Sequence, residues 1–143
     1  MSSKYVLFIC TGNTCRSPMA AALAKSIFEE NNIPMEVYSA GVGALDGQPA
    51  SQHAITAMFE ESIDLQSHIS QYISKKLLDN AELIFGMTYK HVLQIKNVCP
   101  KANVIDLNVS DPFGGDLAIY RQTAAEIKQK ILSYREEIRS FVT

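Results

Sequence analysis

The sequence predicts an α/β protein: one domain spanning residues 1–143, a three-layer sandwich in which a four-stranded parallel sheet carries helices on both faces. Segment order is the first reason. It runs β-α-β-α-α-β-α-β-α from end to end, with no linker, internal repeat or low-complexity tract, as parallel strands joined by crossover helices require. Continuous short apolar runs are the second, because a strand covered on both faces has no polar side to show. Size is the third. One domain of 143 residues buries about 68–70% of the surface its unfolded chain exposes, so the core needs no metal or disulfide staple.

Residues 4–9 form the first apolar run, which ends at a glycine-containing turn. From Ser17 onward Ala20, Ala21, Leu23, Ala24, Ile27 and Phe28 recur at helical spacing, with Ser17 suited to the N-cap and Pro18 to the first helical position. Asn31, Asn32 and Pro34 close that helix. Residues 35–39 read as the second strand, and a glycine-rich loop from Gly41 to Gly47 follows. Ala54, Ile55, Met58 and Phe59 give helical spacing to the stretch Ala50 to Glu60, and residues 74–80 suggest a short helix. Leu83, Ile84 and Phe85 read as the third strand, residues 88–97 as a helix stopped by Pro100, and Asn103, Val104 and Ile105 as a short fourth strand. A long loop runs to about Asp116. Leu117, Tyr120, Ala124, Ile127, Ile131, Tyr134, Ile138 and Phe141 then step by three and four, one apolar stripe on a last helix. In such sheets ligands bind beyond the carboxyl ends of the strands, so the loops after Ile9 and Ile105 are expected side by side.

Composition narrows the function classes. With 13 Lys+Arg against 15 Asp+Glu and 47% hydrophobic residues, the chain is neither disordered nor collagen-like. A net charge of −2 argues against a broad phosphate-backbone footprint, so no nucleic-acid partner is expected. No apolar run approaches the roughly 20 residues of a membrane span, and the run from Tyr5 to Cys10 is too short for a signal-peptide core. Neither a membrane partner nor a secreted protein is expected. Cys10, Cys15 and Cys99 are an odd number, which fits a reducing, cytoplasmic location and makes a reactive thiol worth seeking.

That thiol is found directly after the first strand, in Cys10-Thr11-Gly12-Asn13-Thr14-Cys15-Arg16-Ser17. A strand, a tight turn of small residues and a helix N-terminus make an anion cradle, because backbone N–H groups converge there and the helix dipole favours negative charge. The same N–H groups stabilise a thiolate at Cys10, the nucleophilic form of the group. Arg16 can bring its planar fork back over the loop to hold two phosphate oxygens. Nucleophile, cradle and charge clamp together specify phosphoryl transfer. The loop lacks the Lys of the nucleotide-binding Gly-x4-Gly-Lys type. No cofactor or metal is expected, since Cys10 and Cys15 without a nearby His or third Cys make a poor zinc site.

The stretch from Cys10 to Pro18 resembles the N-terminal signature of the low-molecular-weight protein tyrosine phosphatases, and chain length and segment order are similar throughout. The resemblance implies that Cys10 is the nucleophile, that Arg16 binds phosphate, and that Asn13 and Ser17 shape the loop and assist the thiolate. It also implies a general acid, an Asp followed by Pro in a loop before the last helix, which Asp111-Pro112 matches. Such a group must protonate the leaving atom as the P–S bond forms and then activate water against the phosphocysteine. Thr11, Gly12, Asn13, Thr14, Cys15, Arg16, Ser17 and Phe113 are the implied substrate and phosphate contacts. Phosphorylated proteins are the implied substrates, with inorganic phosphate as product and inhibitor. Tyrosine-specific members usually carry an aliphatic residue or Ser where Thr14 stands, and Tyr or Trp where Phe113 stands. Thr14 with Asp111-Pro112-Phe113-Gly114-Gly115 is similar to the bacterial branch that acts on phosphoarginine. A polar guanidinium wants acceptors such as a Thr hydroxyl or a carboxylate, whereas a phenyl ring wants apolar walls. An arginine phosphatase is therefore favoured, with a tyrosine phosphatase as the alternative.

Blander assignments compete. Cys10 could fill a strand end, and Asp111 could serve only its turn. Cys15 is either loop filler or a redox partner that shields Cys10 through a reversible disulfide. Cys99 reads as filler, with a redox relay as its sharper alternative. His53, His68 and His91 show no ligand spacing and read as surface or core, Tyr120 and Tyr134 read as core, and Lys75-Lys76 as a solvated face. A thioredoxin-coupled arsenate reductase needs two further relay thiols, yet Met87 and Thr88 stand where one is expected. A non-catalytic phosphate-binding module would lack the nucleophile or the acid, and both are present.

Overall fold

The computed structural model describes residues 4–143. Its elements are β1 (Tyr5–Cys10), α1 (Arg16–Glu30), β2 (Glu36–Gly41), α2 (Gln52–Glu60), α3 (Lys75–Asn80), β3 (Leu83–Gly86), α4 (Tyr89–Val98), β4 (Val104–Asp106), α5 (Leu117–Ser133) and α6 (Arg135–Arg139), then a 3₁₀ turn at Ser140–Val142. The four strands form one parallel sheet in the order β2-β1-β3-β4. The strand alternation builds two cores. Val6 and Phe8 point to the face covered by α1, α2 and α5, while Leu7 and Ile9 point to the face covered by α3 and α4. Phe8 stacks on Phe85 of the neighbouring strand with ring centroids 5.2 Å apart. No described helix is long and apolar enough to cross a membrane.

Three local expectations give way. α1 is capped by Cys15 without a side-chain hydrogen bond, so Ser17 is not its N-cap and Pro18 is its third residue. The chain is already turning helical inside the cradle, and the Ser17 hydroxyl is taken by Cys10. Proline is tolerated there because first-turn N–H groups have no helical partner anyway. The last apolar stripe is real, with Tyr120, Ala124, Ile127, Ile131 and Ile138 buried, but the helix breaks at Tyr134 and resumes as α6. Phe59, on the predicted stripe of α2, is 75% exposed.

The sheet's carboxyl edge positions the site. Gly86 and Met87 at the end of β3 join its two loops: the Met87 N–H donates to Ile9 O beneath the cradle, and Met87 O accepts from the Val109 N–H in the loop after β4. A side chain at Gly86 would meet Val92 Cγ2 at 3.1 Å and His91 Cβ at 3.3 Å, so glycine lets the first turn of α4 sit against the strand end.

Candidate active site

The cradle is held open from outside. Its carbonyls point away and are occupied: Cys10 O accepts from Val42 N–H, Thr11 O from Gly43 N–H, Thr14 O from Ser51 N–H and Cys15 O from Met19 N–H. Asn13 O accepts from the His68 Nε2–H at 2.7 Å. With the carbonyls outside, amide N–H groups are free to face inward, the arrangement an anion needs. Gly41 allows this closeness, since a Cβ there would collide with Thr11 O and come within 3.0 Å of Asn13 N.

Asn13 adopts the left-handed region, with φ 56°, and its side chain supports the strain. Its Nδ2 donates to Ser17 Oγ at 2.8 Å and Ser39 Oγ at 2.9 Å, while its Oδ1 accepts from the Gln71 N–H at 2.9 Å. Because Ser17 Oγ already accepts from Asn13, its own hydrogen is free for Cys10 Sγ, 2.9 Å away. The Asn13 N–H adds a second donor to that sulfur at 3.2 Å. The Ser17 hydroxyl and the Asn13 N–H thus converge on one buried sulfur.

Arg16 is 5% exposed, and its Nη1 donates to Val109 O at 3.0 Å. Its Nη2 lies 3.6 Å from Asp111 Oδ2. The other Asp111 oxygen accepts from the Phe113 N–H at 3.0 Å. Asp111 thus serves its turn with one oxygen and faces the guanidinium with the other. The sequence Pro112-Phe113-Gly114-Gly115 closes that turn: the Gly115 N–H donates to Pro112 O, and Gly114 has φ +83°. Together these loops enclose a cleft of about 270 Å³ lined by Cys10, Thr11, Gly12, Thr14, Cys15, Arg16, Asp111 and Phe113. The structure therefore brings the predicted residues together, with Asn13 and Ser17 buried just behind the cradle. Phe113 stands 81% exposed at the rim.

The three cysteines have different partners. Cys15 Sγ lies 3.3 Å from Tyr120 Oη and donates to Ser51 Oγ at 3.6 Å. All three cysteines are free thiols. Cys99 packs in the core on the α3/α4 face and donates to Asp79 Oδ1 at 2.9 Å, which with burial pushes its thiol up. Cys99 is thus engaged by α3 and does not line the cleft. Among the described residues, no group of three His, Cys, Asp or Glu is arranged to hold a metal.

Three residues that touch the cradle lie outside the two motifs that mark the site in the sequence. His68 and His91 reach the cradle across 55 and 80 residues of chain. Burial holds the His68 imidazole below its usual range. His91 is pushed down to about 4 by burial and by the Arg16 and Lys90 charges, against the opposing pull of Asp111 and Asp106. Tyr120 fits the apolar stripe, yet its hydroxyl meets Cys15, and burial raises that phenol. Only Thr88-x-x-His91, at capping-box spacing, offered a local hint.

Comparison with known proteins identifies the family. The family model described as low molecular weight phosphotyrosine protein phosphatase matches residues 5–142. The protein-arginine-phosphatase of Bacillus subtilis is 36% identical, the match covering 94% of this chain and 96% of that protein. A solved YwlE arginine phosphatase, a mutant with a phosphorylated active-site serine, superposes with TM-score 0.89 at 37% identity, covering 93% of this chain and 94% of that one. A low molecular weight protein tyrosine phosphatase from T. tengcongensis superposes with TM-score 0.90 at 32% identity, covering 94% and 99%. A thiol under two donors, a buried arginine clamp and an Asp-Pro loop over a shared cleft thus accompany a match along nearly the whole chain, and the protein belongs to the low molecular weight phosphotyrosine protein phosphatase family.

Proposed function

We propose that this protein is a cysteine-dependent protein phosphatase that removes phosphoryl groups from phosphoarginine, with phosphotyrosine as the poorer substrate. Cys10 attacks phosphorus in line, forming a P–S bond as the P–N bond breaks. Arg16 and the inward amides from Thr11 to Ser17 stabilise charge on the equatorial oxygens. Asp111 gives its proton to the departing guanidine nitrogen. It then takes a proton from the water that cleaves the phosphocysteine, releasing inorganic phosphate and restoring the thiolate. Phosphate, the product, competes for the same cradle.

The observation that carries the chemistry is the Cys10 sulfur under the Ser17 hydroxyl and Asn13 N–H. The choice of arginine rests on Thr14, whose hydroxyl lies against Gly12 at the cleft and offers a polar acceptor where a tyrosine ring would want an apolar wall. The similarity to proteins named arginine phosphatases supports the same choice. Cys15, on the same loop, is the thiol we assign to trap an oxidised Cys10: peroxide converts the Cys10 thiolate to sulfenic acid, and Cys15 displaces water to form the disulfide. An odd number of cysteines, all three free, supports reading the protein as one of a reducing, cytoplasmic compartment.

Side-by-side hydrolysis of phosphoarginine, phosphotyrosine and phosphoserine peptides tests the assignment. Phosphoarginine should show the highest kcat/KM, and Thr14→Ile should move the ratio toward phosphotyrosine by about tenfold. A wild-type preference for phosphotyrosine, or a ratio untouched by Thr14→Ile, overturns the arginine choice.

A further inference from the structure

Thr11 opens the cradle and carries a hydroxyl that the mechanism above leaves unused. Its side chain lies between two neighbours: the methyl faces Gly43, where an added Cβ would lie 3.6 Å from it, and the hydroxyl lies 2.9 Å from His91 Nε2. His91 is 2% exposed, on the first turn of α4. Its Nδ1 lies 3.1 Å from the Thr88 backbone nitrogen, which can only donate. Nδ1 is therefore the acceptor, and the ring proton sits on Nε2. It follows that Nε2–H donates to Thr11 Oγ1, and that the Thr11 hydrogen is left over for another acceptor. Thr11 lines the cleft with Cys10 and Arg16, where an oxyanion supplies that acceptor.

The residue type fits this task. A Glu at the third position of a capping box would accept from Thr88 equally well, but it would bring negative charge beside an anion site and could not donate to Thr11. A neutral imidazole does both at once. Gly86, whose missing side chain admits the first turn of α4, makes the approach feasible.

We propose that His91 is a positioning residue for the phosphoryl site, holding the Thr11 hydroxyl by Nε2–H so that the hydroxyl's own hydrogen is presented to an oxygen of the bound phosphoryl group. This rests on the phosphatase assignment, and it adds a donor that reaches the site from α4.

The test uses the two halves of the imidazole. His91→Asn keeps an acceptor near Nδ1 for the Thr88 N–H and removes the donor to Thr11. His91→Gln keeps a donor near Nε2. Thr11→Val removes the hydroxyl while keeping shape. Phosphopeptide kcat/KM should fall about tenfold in His91→Asn and in Thr11→Val, and stay within about threefold of wild type in His91→Gln. The double variant His91→Asn/Thr11→Val should be no worse than Thr11→Val, because both changes remove one interaction. Wild-type activity in His91→Asn or Thr11→Val overturns the proposal. So do multiplying losses in the double variant, or equal losses in the Asn and Gln variants. If His91→Asn does not fold, as judged by circular dichroism, Thr11→Val and His91→Gln decide between the same outcomes. If wild type hydrolyses no phosphopeptide, the phosphatase assignment fails separately. Protection of Cys10 from iodoacetamide by inorganic phosphate then reads the same oxyanion contact, with the protecting concentration raised about tenfold in His91→Asn and Thr11→Val and not in His91→Gln.

Discussion

A sulfur receiving hydrogen bonds from Ser17 and Asn13 has two attributes that substitution can separate, nucleophilicity and a place in the cradle. Cys10→Ser keeps the volume and a polar atom, so inorganic phosphate should still bind. Turnover should fall by more than about a thousandfold, because a serine hydroxyl here has no adjacent base to activate it. Phosphopeptide kinetics beside calorimetric phosphate titration measure both, and residual activity above about a tenth would remove Cys10 from its role. Asp111 permits a similar separation. One oxygen accepts from the Phe113 N–H, and an amide oxygen does that as well as a carboxylate. Asp111→Asn should therefore preserve the loop while abolishing proton delivery, costing about a hundredfold or more with poor leaving groups and much less with a nitrophenyl ester. Equal losses on both substrates would reduce Asp111 to its turn.

Where β2 meets the cradle, the closest approach is made by backbone. Gly41, at the end of β2, lies against Thr11 O and Asn13 N, so Gly41→Ala must displace the cradle itself. We expect a loss of about 1–3 kcal/mol in urea unfolding and at least about a tenfold fall in kcat/KM, since small misplacements of a preorganised site are costly. Unchanged activity would mean the cradle tolerates movement. The strands and most helices were legible because a buried strand must be apolar throughout and a covered helix must repeat by three and four. The start of α1 was not, because Ser17 obeys a capping rule locally and a hydrogen bond to Cys10 globally, and the second interaction prevails. Site legibility divides the same way. Cys10, Arg16 and Asp111 lie in local motifs whose residue types state their chemistry. His68, His91 and the hydroxyl of Tyr120 act through contacts made across 55, 80 and 105 residues, which no local spacing encodes.

At the scale of the whole molecule, the carboxyl edge of the sheet puts Arg16 in the cleft and sets neutral histidines behind the cradle. The two histidines that touch the cradle are both held below the ordinary imidazole value, so neither is charged near neutrality. That arrangement couples folding to pH with a definite sign. His91 protonates near 6.5 when unfolded and only at about 4 in the folded protein, where burial and Arg16 oppose the charge. Between those values the unfolded chain binds the extra proton. Stability from this group is thus complete above about pH 6.5, and it is lost as pH falls toward 4. His68 shifts in the same direction and adds to the slope. Urea unfolding of wild type should lose about 1–2 kcal/mol more between pH 7 and pH 5 than His91→Asn loses, because Asn has no proton to gain. Equal losses in the two proteins would mean that His91 accepts its proton in the folded state as readily as in solution. The neutral tautomer that orders Thr11 would then not be enforced by the fold.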